Sequence, residues 1–527
     1  MNKRMIKLSL TIFSIGIVNF LSAQYDPEIL NWYNGNGPGM ETEKAYKKLK
    51  KKKSETVVVA VIDSGIDIEH EDLQGKIWTN SKEIAKNGID DDKNGYIDDV
   101  HGWNFLGNAK GENMNEANLE KTRILRMLAK KYDGVDASTI SSSEKDEFAL
   151  YEKVKAEVES ELGMYSAYLA QMAALPELIK NAPSVVAKEL GKTDYTLDEL
   201  YEWKPTTPEL NMYKQIAIGI MKGELSEEKI MEQIDQLEQM VNFNYNVDFI
   251  DREIIGDNPD DFNDKKYGNP DVEGPDALHG THVGGIIGAV RGNGLGGDGV
   301  AENVRLMSLR AVPNGDEFDK DIALAIRYAV DNGAKVINMS FGKAYSPHQK
   351  EVYEAFQYAD SKDVLLVHAA GNDGKDIDKE PNFPTSMYSF QTAKLPLFLT
   401  IGASTRMAKE ELPATFSNYG VKGVDIFAPG HEIYNSVPQS SYKKLQGTSM
   451  AAPMVSGVAA LLKSYFPKLS MKEITEVMLK SGKSFKGTQQ LLPGSEEMVD
   501  FAKLSVTGNV VNVKNAIKMA KKLEKSK

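Results

Sequence analysis

Hydrophobic positions fall into two registers along this chain. Short apolar runs at Val57–Ile62, Val304–Leu309, Val364–Ala369 and Phe398–Ala403 are rich in β-branched residues and bounded by polar residues or glycine. This pattern predicts buried strands, and Lys335–Ser340 predicts another. Between them, Asp319–Asn332, closed by Gly333, and Pro347–Lys362 carry helical spacing. Met450–Phe466 does so too, with Pro453 confined to a first turn and Leu461, Leu462 and Phe466 continuing an apolar face. Strand alternating with helix implies right-handed crossovers and an α/β fold, a mainly parallel doubly wound sheet covered on both faces.

That alternation is interrupted. Over residues 107–256 glycine thins out and the helical period takes over, in Tyr151, Val154, Val158, Leu162, Tyr165 and Leu169 and again in Ile230, Ile234, Leu237 and Val241. A large helical insertion is predicted there, between 54–106 and 257–481, which form the two parts of one core. Residues 24–53 form a lead segment, turn-rich at Trp32–Gly39 and then a basic helix over Glu41–Lys53 whose Lys48–Lys53 end is solvated. Beyond the core, residues 482–527 are an extension in which 482–505 are mixed and Val510–Lys527 is a lysine-rich amphipathic helix expected to pack on the core.

Composition narrows the class. The chain has 527 residues, no cysteine and a formal net charge of -13. Disulfides, cysteine metal sites, a cysteine nucleophile and a lipidated cysteine are thereby excluded. Lys3, Arg4 and Lys7 precede an apolar Leu8–Leu21, and Leu21-Ser-Ala-Gln24 offers small residues before a polar one. This is the layout of a signal peptide, residues 1–23, cut after Ala23, with an apolar run too short for a stable membrane span. An exported, periplasmic or secreted protein follows, and its acidity argues against nucleic acid as a partner.

Three stretches carry chemistry alongside the 450–466 helix. Ser449 stands in Gln446-Gly-Thr-Ser-Met-Ala-Ala-Pro-Met-Val-Ser-Gly457, at the N-terminal end of that helix, where unpaired N–H groups gather. Alone it reads as an N-cap serine. Thr56-Val-Val-Val-Ala-Val-Ile-Asp-Ser-Gly65 ends a predicted strand in Asp63, at the sheet edge where α/β folds place catalytic groups. His279-Gly-Thr-His-Val-Gly-Gly285 opens a small-residue helix, and Val367-His-Ala-Ala-Gly-Asn-Asp-Gly374 offers the Asn372 amide at another strand end.

Asp, His, Asn and Ser motifs in this order resemble the subtilisin-like serine proteases, the subtilases, over residues 55–106 and 270–470. The resemblance implies a subtilisin-like fold and an endopeptidase acting on peptides or proteins. It makes Ser449 the nucleophile, His279 the general base, Asp63 the group that orients the imidazole, Asn372 the oxyanion donor and His282 structural. It also implies a cleft bordered by 340–342 and 369–372, along which an extended substrate adds as a strand. Departures are Gly284 in place of alanine, and Phe341 and His368, which are candidates to reshape the substrate pockets. His431 lies outside the motifs and is read as a surface residue. The lead segment is too short for the folding propeptide usual in secreted relatives. The insertion is either a structural embellishment or a lid bordering the cleft. Two alternatives share the residues: a silent peptide-binding scaffold, disfavoured because all four groups are present, and a peptide ligase or cyclase using the same triad.

An acidic loop adds a cofactor. From Asp90, oxygen-bearing residues recur as Asp90, Asp92, Asn94, the Tyr96 carbonyl and Asp98, with Gly95 at the sixth place, as in the first half of an EF-hand loop. Crowded carboxylates repel unless a cation sits among them, so a structural calcium is expected. The family resemblance suggests a second calcium at Asp72 and Asn293.

Overall fold

The computed structural model describes residues 30–407, 409 and 411–527; the signal peptide read from residues 1–23 lies outside these. The described chain forms two compact units, one of residues 156–242 and one of residues 30–155 together with 243–527.

The larger unit is built on a sheet whose strands are β1 (Val57–Asp63), β2 (Gly102–Asn104), β3 (Val304–Arg310), β4 (Val336–Met339), β5 (Leu365–Ala369), β6 (Phe398–Ser404), β7 (Ile426–Pro429), β10 (Lys483–Ser484) and β13 (Asn509–Val510). Outside the sheet, β8 (Ile433–Val437) pairs with β9 (Ser441–Leu445), and β11 (Gln489–Leu491) with β12 (Met498–Asp500). The sheet order is β10-β13-β7-β6-β5-β4-β1-β3-β2, with every pairing parallel except β10 with β13. The fold is therefore α/β with a mainly parallel sheet, as the alternation of strands and helices implied.

Successive strand residues face opposite sides, and β1 shows what this does. Val57, Val59 and Val61 join one core with the helices Leu278–Gly288 and Thr448–Tyr465, whereas Ala60 and Ile62 join the other with Asp319–Asp331 and Gln349–Ser361. A strand buried on both faces needs an unbroken apolar run, so strict alternation is missing from the sequence. The Thr448–Tyr465 helix lies within the first core, where each fully buried valine, leucine or methionine contributes roughly 1.5–3 kcal/mol.

Both ends of the chain reinforce this core. Trp32, Tyr33, Met40, Ala45 and Leu49 of the lead segment are buried in it, as are Val513, Ala516, Ile517 and Ala520 of the last helix, Val513–Lys525. The stretch that resisted placement, 482–505, folds as short strands around Phe501, whose ring packs on Phe427 and Phe485.

Residues 156–242 contain the helices Leu175–Leu190, Leu197–Glu202, Pro208–Met221 and Glu227–Gln239, with the chain arriving along Lys145–Met172. Their starts are chemically marked: Thr196 and Glu199 form a capping box, and Thr207 and Ser226 cap the next two helices. Ile179, Ala182, Ile216, Ile230 and Ile234 make the centre of this unit. Among the described residues, no helix is long and apolar enough to cross a membrane.

Candidate active site

Sheet topology opens the site. β1 runs between β3 and β4 and stops at Asp63, while the chain continues past Arg310 and Met339 on either side. Asp63 thus stands at the carboxyl ends of the parallel strands, where α/β sheets place a crevice.

Asp63 is buried, and its Oδ1 is 2.7 Å from Nδ1 of His279, which stands in the first turn of the Leu278–Gly288 helix. Close approach of helix to strand explains the small residues around the histidine. A Cβ on Gly280 would lie 2.0 Å from the Gly65 carbonyl oxygen and 3.2 Å from the Asp63 Cβ. Gly65 itself has φ +123, which disfavours any side chain there. Burial pushes the His279 imidazole down, but the Asp63 charge and hydrogen bond outweigh it and hold the pKa above its ordinary 6.5.

Ser449 lies in the first turn of the Thr448–Tyr465 helix. Its Oγ donates to the Ser340 carbonyl at 3.2 Å, and the Ser340 hydroxyl donates back to the Ser449 carbonyl at 2.9 Å. Asn338 Nδ2 supports the Ser340 Oγ at 2.9 Å, and Ser456 Oγ donates to Asn338 Oδ1 at 2.9 Å. The end of β4 is thus tied to the serine helix through Asn338, Ser340 and Ser456. Their only sequence signal is polarity within an otherwise apolar strand and helix.

Asn372 faces the same turn. Thr448 donates to its Oδ1 twice, from N–H at 2.8 Å and from Oγ1 at 3.0 Å, while Gly371 N–H donates to Thr448 Oγ1 at 3.0 Å. Nδ2 of Asn372 has no partner among the described residues. At Gly447, φ is +151, and a Cβ there would lie 3.5 Å from Asn372 Nδ2 and 3.6 Å from the Ser449 nitrogen. Two N–H donors therefore border one glycine-lined space beside Ser449.

The other histidines have different settings. His282 is fully buried, with Nε2 3.0 Å from the Ile433 carbonyl and 3.2 Å from that of Lys443, and burial pushes its pKa to about 3. A neutral ring donating from Nε2 ties the histidine helix to the β8–β9 hairpin. His368 is also in the core: its Nε2 donates to the Phe341 carbonyl at 2.7 Å, and burial lowers its pKa to about 4. It packs between the Phe341 and Phe398 rings, so it lies under the sheet end instead of lining a pocket. Asn382 donates to the Ala370 carbonyl at 3.2 Å and lies against Gly342, where a Cβ would come within 2.6 Å of its Nδ2. His431, read as a surface residue, is half-buried beside Phe416.

The acidic loop converges differently from the EF-hand count. Carboxylate oxygens of Glu83, Asp90 and Asp92 lie within 4.8 Å of one another. Glu83 Oε2 is buried without a hydrogen-bond partner, while Oε1 accepts from Asp92 N–H at 3.0 Å. An orphaned oxygen beside two further carboxylates fits a hard cation. Asp98 is turned away, accepting from the Asn87 and Gly88 N–H groups at 3.0 and 2.9 Å. Asn94 spends its amide on Asp99 Oδ2 and accepts Tyr96 N–H on Oδ1. The Tyr96 ring packs on Trp103, Phe105 and Tyr328. Glu83 was missed because it precedes the loop. At the second expected position, Asn293 Nδ2 donates to Asp72 Oδ1 at 2.7 Å, and Asp72 Oδ2 is buried without a partner. Burial raises the Asp72 carboxyl.

The subtilase family model matches residues 54–495. The cell wall-associated protease of Bacillus subtilis (strain 168) is 36% identical over 226 residues, covering 43% of this chain and 23% of that protein. The thermophilic serine proteinase of Bacillus sp. (strain AK1) is 39% identical over 205 residues, 39% of this chain and 46% of the relative. Thermitase of Thermoactinomyces vulgaris is 40% identical over 187 residues, 35% of this chain and 61% of the relative. The chain thus spans between 23% and 61% of the length of these three relatives. The family match runs from the strand that carries Asp63 past the helix that carries Ser449, and the chain belongs to the subtilase family.

Proposed function

We propose that this protein is a serine endopeptidase that hydrolyses peptide bonds through Asp63, His279 and Ser449, with Asn372 as oxyanion donor. The carrying observation is the 2.7 Å contact between Asp63 Oδ1 and His279 Nδ1. With Nδ1–H given to the carboxylate, Nε2 keeps its lone pair for the serine proton.

Rotation about the Ser449 Cα–Cβ bond takes Oγ from the Ser340 carbonyl toward Nε2; such contacts commonly tighten only with substrate bound. As the bond from Oγ to the peptide carbonyl carbon forms, the Oγ proton passes to Nε2 and the carbonyl π electrons move to oxygen. Asn372 Nδ2–H and Ser449 N–H are placed to donate to that oxyanion. Collapse expels the amine, which takes the proton from Nε2–H. Water then repeats the cycle and frees Ser449. Asp63 stays ionised throughout and stabilises the imidazolium.

Glu83, Asp90 and Asp92 would hold a calcium ion, which would neutralise their mutual repulsion and brace the loop after β1. Asp72 would join a second ion if the Asn293 amide turned its oxygen inward. The leader over 1–23 supports export to the periplasm or beyond. The insertion, 107–256, is read as an addition to a catalytic core of 54–106 and 257–481, with 482–527 as an extension.

The test is a fluorophosphonate probe on the folded protein, with the adduct located by peptide mass spectrometry. Labelling at Ser449 that is lost in His279→Ala supports the reading, and a folded protein that does not label at Ser449 overturns it.

A further inference from the structure

One end of the crevice beyond Asp63 is bounded by Lys343 and the groups it binds. A peptide placed with its carbonyl carbon at Ser449 Oγ must send its leaving amine toward His279, which returns the proton. Its acyl part therefore runs the other way, along 340–343. There Gly342 is exposed, and its N–H and C=O have no partner among the described residues, so one rung of a ladder is open to an added strand. The next residue closes that edge. Lys343 exchanges backbone hydrogen bonds with Phe383 at 2.8 and 2.9 Å, and the chain bends at Ala344.

The Lys343 side chain does more than end the ladder. It crosses from the continuation of β4 to that of β3, where its Nζ donates to the Glu317 carbonyl at 2.8 Å. The same ammonium reaches Glu120 Oε2 at 2.8 Å and Asp319 Oδ1 at 2.9 Å. Three acceptors match its three donors, and the side chain is only 1% exposed. Arg123 fixes the far side, pairing with Glu120 at 2.7 Å and donating to the carbonyls of Asp316 and Glu317. Asp316 N–H in turn is held by the Asn118 carbonyl at 3.2 Å. The Lys343 ammonium, with all three donors matched, is held rigidly, and removing it leaves Glu120 and Asp319 without their shared cation.

From this we infer that Lys343 is a specificity-determining residue: its strap to Glu317 and Glu120 closes the acyl side of the cleft after about three extended residues, at roughly 3.3 Å each. The enzyme takes peptides whose first three residues before the scissile bond lie extended in the slot. Residues further upstream leave the cleft and add nothing to recognition. This rests on the serine-protease reading, and it makes the start of the insertion, through Glu120 and Arg123, part of the cleft wall.

The experiment uses the full mature chain and N-acetylated fluorogenic peptides with one to six residues before the same leaving group. kcat/KM is expected to rise at least fivefold per residue up to the third and then stay within twofold. Continued gains at the fourth and fifth residues would overturn the strap. In Lys343→Met, shown by its melt to be folded, the gain at the fourth residue should appear, and an unchanged plateau would assign Lys343 a purely structural role. Fluorophosphonate labelling separates the two claims: without it the serine reading fails, whereas labelling together with length dependence beyond three residues sinks the strap alone.

Discussion

Thr448 fixes the orientation of Asn372, spending its backbone N–H and its hydroxyl on the same oxygen at 2.8 and 3.0 Å. That oxygen is thereby occupied, and the amide nitrogen is left to face the space beside Ser449. Asn372→Ala should lower kcat about a hundred- to thousand-fold with little change in KM, the size known for loss of this type of donor within the same family. Thr448→Val keeps the N–H and loses the hydroxyl. It should cost about tenfold in kcat, since a misdirected donor is weakened and not removed. A larger KM effect than kcat effect in either variant would mean the amide binds substrate in the ground state.

The pH profile should carry the mark of Asp63. His279 must be neutral to act as base, and its pKa is raised above 6.5, so the acid limb of kcat/KM should have its midpoint above that value. In Asp63→Asn the lowering effect of burial remains without its counterweight. The limb should then move below 6.5, and kcat should fall by about 10⁴. The linked stability has a definite sign: the Asp63–His279 interaction contributes fully below the unfolded histidine pKa and fades as pH rises through the raised folded value. Melting of the two proteins across that window would show a difference shrinking with rising pH.

Two adjacent glycines should respond in opposite directions to the same change. A Cβ on Gly284 meets Leu306 and Ile66 at 3.4 and 3.5 Å, ordinary contact inside a helix. Gly284→Ala should therefore stabilise by about 1 kcal/mol through helix propensity. A Cβ on Gly285 would stand 2.3 Å from Asn435 Oδ1, and that side chain is held by Tyr33 and by Ser436 N–H. Gly285→Ala should destabilise by about 1–3 kcal/mol. Urea midpoints for the pair would check both signs.

Chelation should lower the melting temperature if the acidic loop holds calcium. An ion at a hundred times its dissociation constant contributes about 2.7 kcal/mol. Glu83→Gln should weaken that response more than Asp98→Asn, because Glu83 carries the unpartnered oxygen and Asp98 already serves two backbone N–H groups. Equal melts of the unmodified protein in calcium and in chelator would remove the ion from the account.

The strands and the four motifs around Asp63, His279, Asn372 and Ser449 were legible because each is signalled locally. β1 reads as apolar up to a carboxylate, and Ser449 is flanked by residues that must be small or helix-forming. Glu83 was not legible, because its approach to Asp90 and Asp92 depends on how the chain folds back before the loop. Asp98, counted as a ligand from the spacing of oxygens, has a φ of +57 and a carboxylate that accepts from Asn87 and Gly88 N–H, a setting no spacing rule reveals. His368, a candidate to reshape the substrate pockets, is carried by strand alternation into the core with Phe341 and Phe398. Nothing in the sequence around Lys343 marks it as buried, and only its distant partners Glu120 and Glu317 explain its burial.

The placement of β1 also bears on when the proposed site is assembled. Asp63 reaches its position only when β3 and β4, contributed by segments far along the chain, have settled on either side of β1, and Ser449 arrives with a helix buried among them. Pairings between such remote segments form slowly, since the loops they close are long. A partly folded chain can hold well-formed helices and still lack the 2.7 Å contact between Asp63 and His279, so the arrangement proposed for catalysis is complete only once these remote strands have paired.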